Sequence, residues 1–184
     1  GVSTGFTRLD EMTGGFHGGE LVILAARPSM GKTALALNMA THVATRLNLP
    51  VAIFSLEMSK ESLLTRMICA AARVDQKRFR IGYLDQEERR RLVQASSELV
   101  DAPLFLDDSA AANLMDIHAK LRRLKAEQGL GLVVVDYKTD AVSDEGIGPR
   151  SQLYLPQLAA YCAALQKATG EKVGQAFLLF LRPG

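Results

Sequence analysis

The residues best suited to chemistry lie in Ala26-Arg27-Pro28-Ser29-Met30-Gly31-Lys32-Thr33, set between the apolar run Leu21 to Ala25 and an alanine-rich segment of helical character. A strand running into a glycine turn that opens a helix is the setting of a phosphate-binding loop. In such a loop the turn bares backbone N–H groups toward phosphate oxygens, and Gly31 lets the main chain come close. Lys32 reaches the outer phosphates, and Thr33 offers its hydroxyl to Mg²⁺. The helix N-terminus behind the loop adds roughly half a positive charge. The pattern predicts that Arg27, Pro28, Ser29, Met30, Gly31, Lys32 and Thr33 hold a nucleoside triphosphate with Mg²⁺.

Ligands of parallel sheets gather at the carboxyl ends of the strands, so acids that directly follow strands are the next candidates. Asp136 closes the run Leu132 to Val135, where a carboxylate holds Mg²⁺ through water near Thr33. Glu57 follows Phe54-Ser55-Leu56, where a carboxylate can polarise the water that attacks the γ-phosphate. Taken alone, Asp136 reads equally well as a solvated turn residue and Glu57 reads more readily as one; the phosphate loop raises both.

Short β-rich runs alternate with helical patterns. Leu21 to Ala26, Val51 to Leu56, Leu104 to Leu106, Leu132 to Val135 and Ala176 to Leu181 read as buried strands, which predicts a parallel sheet of about five strands with helices on both faces. Leu35, Met39, Val43 and Leu47 form one helical stripe, and Leu63, Leu64, Met67, Ile68 and Ala71 another. Asp85 with Glu88 predicts a capping box for a helix to about Val100. Asn113 reads as a cap for a helix carrying Ile117 and Leu121 that Gly129 ends. Its outer residues Lys120, Arg122, Arg123 and Lys125 read as a solvated face. Lys138 to Arg150 reads as a loop, followed by a helix to Thr169 that Gly170 closes.

A length of 184 residues suits one α/β domain, and a formal charge of +2 is too small to argue for nucleic acid by itself. No apolar run approaches the roughly 20 residues of a membrane span, and the N-terminal stretch lacks the layout of a secretion signal, so a cytoplasmic protein is expected. Cys69 and Cys162 have no metal-ligand spacing and read as buried fillers. The segment before Leu21 is expected to pack either on a neighbouring subunit or on its own sheet.

Ser3-Thr4-Gly5-Phe6-Thr7-Arg8-Leu9-Asp10, Ala25 to Thr33 and Phe54-Ser55-Leu56-Glu57-Met58-Ser59 resemble the RecA-type motor domain of bacterial replicative DNA helicases of the DnaB family. Arg122-Arg123-Leu124-Lys125 and Gly129 to Tyr137 continue the likeness, which covers about residues 1 to 137. The resemblance implies a P-loop NTPase fold and a hexameric, ATP-driven motor around single-stranded DNA. It places Lys32, Thr33, Glu57 and Asp136 at the phosphate, magnesium and water-activating positions.

After Tyr137 the pattern changes. Val135-Asp136-Tyr137-Lys138-Thr139-Asp140, Gln157 to Tyr161 and Ala176 to Gly184 resemble the C-terminal nuclease domain of AddA and RecB exonucleases, over about residues 133 to 184. That likeness implies an alternative metal-dependent nuclease site at Asp136, Lys138, Gln157 and Tyr161, and a chimera joined at Val135-Asp136-Tyr137. The further carboxylate such a nuclease takes from a preceding hairpin is missing, because a basic helix and the turn Gly129 to Gly131 stand there. The helicase pattern is also incomplete, since Phe180-Leu181-Arg182 stands where a polar γ-phosphate sensor is expected. The expectation is one ATP- and Mg²⁺-binding domain over 1–184, a helicase-derived part to 137 completed by 138–184, with slow hydrolysis and no processive unwinding; the alternatives are the nuclease and an engineered chimeric fold without activity.

Overall fold

The computed structural model of the chain describes residues 1–26, 30–109, 114–136 and 175–181. Strands β1 (Glu20–Ala26), β2 (Val51–Ser55), β3 (Leu104–Asp107), β4 (Leu132–Asp136) and β5 (Gln175–Leu181) alternate with helices. The helices are α1 (Thr7–Thr13), α2 (Lys32–Arg46), α3 (Lys60–Ala72), α4 (Gln76–Ile81), α5 (Gln86–Asp101) and α6 (Leu114–Gln128).

All strand pairs are parallel, in two sets: β3-β2-β4 and β1-β5. This corrects the expectation of one continuous five-stranded sheet. Apolar runs report that a strand is covered on its faces, not which of its edges is paired. Burial follows the pairing: β2, bonded on both edges, is buried throughout, whereas β3 and β4 are half-buried and Val135 of β4 is exposed.

Because side chains alternate along a strand, each sheet face has its own cluster. Val51 and Ile53 of β2 join Leu37 and Val43 of α2, Leu63 and Met67 of α3 and Leu99 of α5, with Leu104, Leu106, Leu132 and Val134 beside them. Ala52 and Phe54 turn the other way, onto Ile117 and Leu121 of α6. Each fully buried aliphatic chain of this kind contributes about 1.5–3 kcal/mol. Helix α2 touches β1, β2 and β4, so it covers strands of both sets.

The helical stripes were legible in outline. Met39, Val43, Leu63 and Met67 are buried as expected, but Leu47, Leu64 and Ala71 are exposed, and Leu37, Ala40, Ala44 and Ala72 fill the faces instead. A four-residue step drifts off a 3.6-residue period within a few turns, and small alanines carry little signal. The Asp85/Glu88 capping box is present, and Gly129 ends α6 at φ 77, its N–H bonded to the Lys125 carbonyl at 3.2 Å. Asn113, the segment 138–174 and Cys162 lie outside the described residues; Cys69 is buried among Ala72, Val74, Leu92 and Ala95, and burial, then Asp75, pushes its thiol upward.

The N-terminal segment fastens to its own α2. Ser3 Oγ, Thr4 N and Thr4 Oγ1 all donate to the Asp10 carboxylate, at 2.6, 2.9 and 2.6 Å, and Ser3 Oγ lies 3.4 Å from His42 Nε2. The Ser3 and then the Thr4 bonds hold the Asp10 carboxyl below its ordinary range. Gly5 sits at φ +81, where a Cβ would stand 2.6 Å from the His42 ring, so glycine is required there.

Candidate functional site

The chemistry-bearing residues collect at the carboxyl ends of β2 and β4 under the N-terminus of α2. Gly31 precedes that helix in a left-handed conformation, φ 83 and ψ 19. A Cβ there would meet nothing within 4 Å, so backbone conformation rather than space calls for glycine. Lys32 and Thr33 are therefore the first residues of α2, on the turn whose N–H groups lack helical partners.

Asp136 ends β4 with the parity of Leu132 and Val134, which sends its side chain to the α2 face. Lys32 Nζ stands 3.0 Å from its Oδ1, and Thr33 Oγ1 donates to its Oδ2 at 3.0 Å. The carboxylate is 8% exposed, so it is compensated by an ammonium and a hydroxyl rather than by solvent. This brings together three of the residues expected from sequence.

A hydroxyl and a carboxylate in contact are hard oxygen donors of the kind Mg²⁺ takes, and the ammonium beside them matches a phosphate oxygen. Among the described residues no group of three or more His, Cys, Asp and Glu gathers to hold a metal. Arg27, Pro28 and Ser29 lie outside the described residues; of the expected loop, Met30, Gly31, Lys32 and Thr33 are described.

Glu57 is exposed in the turn between β2 and α3. Leu56 N donates to the Asp136 carbonyl at 3.0 Å, and Met58 N donates to Ser55 Oγ at 3.0 Å. Ser55 is 2% exposed and pairs in register with Asp136. The turn bearing Glu57 is thus bonded to the strand that bears Asp136. Ser55 was missed as a site residue; its one signal is a hydroxyl ending an otherwise apolar strand.

Of the alternative nuclease set, Lys138, Gln157 and Tyr161 lie outside the described residues, while both oxygens of Asp136 are engaged by α2. The basic face of α6 is exposed at Arg122, Arg123 and Lys125, as expected, and half-buried at Lys120. Lys120 binds Asp107 and Ser109, and Arg123 pairs with Glu127 at 2.8 Å. Partial burial works to raise Asp107, but the Lys120 bond, the Ser109 hydroxyl and amide and the Lys120 charge outweigh it and draw the carboxyl to about 2. The cavity of about 290 Å³ beside this pair, lined by Phe54, Phe105, Lys120 and Leu124, includes none of Lys32, Thr33, Glu57 and Asp136.

The DnaB-like helicase C terminal domain profile matches residues 1–152. The replicative DNA helicase DnaB of Geobacillus stearothermophilus is 50% identical over 137 residues, 74% of this chain and 30% of the relative. That of Treponema pallidum is 40% identical over 171 residues, 93% of this chain and 38% of the relative. The chain thus spans about a third of the length of these relatives. Among solved structures, one ATPase domain superposes with a TM-score of 0.76 at 28% identity, over 97% of this chain and 63% of that one. A DnaB-like replicative helicase described with its interactions with primase gives 0.75 at 30%, over 98% and 44%. The profile and the Treponema match both run past the junction expected at Tyr137. The α/β architecture with parallel strands is that of the RecA-like DnaB ATPase domains, and this chain belongs to the DnaB-like helicase C terminal domain family.

Proposed function

We propose that the chain is the ATP- and Mg²⁺-binding RecA-like core of a cytoplasmic replicative DNA helicase, with slow ATP hydrolysis and no processive unwinding of its own. The observation that carries this reading is the contact of Lys32 and Thr33 with one buried carboxylate, Asp136, at the N-terminus of α2. Lys32 would pass from Asp136 to the outer phosphates, and Thr33 with Asp136 would hold Mg²⁺, which neutralises developing phosphate charge when bound. Glu57 would take a proton from the water whose oxygen bonds to the γ-phosphorus as the bond to the β–γ bridging oxygen breaks. That bond's electron pair leaves with ADP. A hexamer around single-stranded DNA is the assembly in which such a core would do mechanical work.

Residues after Tyr137 are proposed to be an exchanged completion, a reading supported by the motif change there. The tail is expected to cut neither single- nor double-stranded DNA with Mg²⁺ or Mn²⁺, because the nuclease-type hairpin carboxylate has no counterpart upstream of Asp136. Cleavage abolished by Asp136→Ala would show the opposite. For the main reading, Lys32→Ala is expected to weaken Mg-ATP binding in a calorimetric titration; unchanged affinity would refute it.

A further inference from the structure

We propose that Asp108 is a positioning residue for Glu57, an inference that rests on the ATPase reading above. β3 ends with Phe54 opposite Asp107, and Ser55 of β2 pairs with Asp136 of β4. The residue after Asp107 therefore falls beside Ser55, which puts Asp108, Ser55 and Asp136 in one row across the ends of three adjacent strands. All three share the parity of the residues that face α2 and α3, namely Leu106, Ile53 and Val134.

Each member of that row fixes one amide of the turn that carries Glu57. The Asp136 carbonyl accepts from Leu56 N at 3.0 Å, Ser55 Oγ from Met58 N at 3.0 Å, and Asp108 Oδ2 from Lys60 N at 2.9 Å. Residues 56, 58 and 60 are tied down, and Glu57 stands between the first two ties. Lys60 is the first residue of α3, so its N–H has no helical acceptor, and a carboxylate there also meets the positive end of the helix.

Asp107 makes Asp108 a fixed post. Its side chain turns to the opposite face, where Lys120 of α6 and Ser109 bind it. Two successive carboxylates thus join α6 to the end of β3 and the end of β3 to the turn bearing Glu57. Without Asp108 the turn keeps its ties at 56 and 58 but loses the one at the start of α3, and a small displacement of a water-activating carboxylate costs rate rather than nucleotide affinity.

The test is steady-state ATP hydrolysis and Mg-ATP affinity of the full chain with Asp108→Ala and Asp108→Asn, alongside Glu57→Gln and Lys32→Ala. Asp108→Ala is expected to lower kcat on the order of tenfold while KM and Kd stay within about twofold. Asp108→Asn, whose amide oxygen still accepts from Lys60 N, is expected to restore kcat to within about twofold of the parent chain. An unchanged kcat in Asp108→Ala, or an Asn variant as slow as the Ala variant, overturns the proposal. If Asp108→Ala does not melt cooperatively, hydrogen exchange of the Lys60 amide in the parent chain and in Asp108→Asn decides, since an amide unprotected in both contradicts the contact. A parent chain that turns over no ATP, or a Glu57→Gln variant that keeps its rate, instead brings down the underlying reading, and the inference with it.

Discussion

At the scale of single residues, one carboxylate organises the site. Asp136 takes an ammonium from Lys32 and a hydroxyl from Thr33 on a strand end that is almost closed to water. Asp136→Ala is expected to remove the Mg²⁺ dependence of nucleotide binding and to cost about 1–3 kcal/mol of stability, because Lys32 and Thr33 lose a common partner. Calorimetry with and without Mg²⁺, and urea unfolding, check the two parts. Gly31→Ala is expected to cost about 1 kcal/mol, since alanine must adopt φ +83. Lys32, Thr33 and Asp136 were legible in the sequence because their spacing on a strand, a glycine turn and a helix start has few other uses. Ser55 and the proposed role of Asp108 were not, because both depend on the register between neighbouring strands.

At the scale of elements, local rules were legible where side chain and backbone meet within a few residues. The Asp85/Glu88 box starts α5 as its spacing predicts, and Asp85→Ala is expected to cost about 1 kcal/mol in urea unfolding. Helices α1 and α4 went unread. Each is six or seven residues long with no buried residue of its own, so neither shows a stripe. The link from α6 to β3 belongs to this scale too. Asp107 has its carboxyl drawn down to about 2, so its contribution is complete above an unfolded value near 3.8 and is lost as pH falls toward about 2. Asp107→Asn is therefore expected to cost roughly 1–2 kcal/mol near neutrality, after allowance for partial exposure, and only about a few tenths of a kcal/mol at pH 2, where half of the carboxyl is protonated. Denaturant unfolding of both chains across that range checks the sign.

For the whole molecule, the parallel strands and the helices on both faces were foreseeable from alternating apolar runs, and β5 falls within a residue of its expected start. The division of the strands into β3-β2-β4 and β1-β5 was not, because an apolar run carries no record of which edge it pairs. Removing residues 175–184 takes away the strand paired along the whole of β1, from Glu20 to Ala26. That shortened chain is expected to lose cooperative thermal unfolding and to aggregate through the bared edge. The central claim is that the start of α2 and the end of β4 form a site for Mg-ATP. Isothermal titration of Mg-ATP into the full chain and into Lys32→Ala tests it most directly. The parent chain is expected to bind with an affinity at least about tenfold above that of the variant; equal affinities, or no binding by the parent, would contradict it.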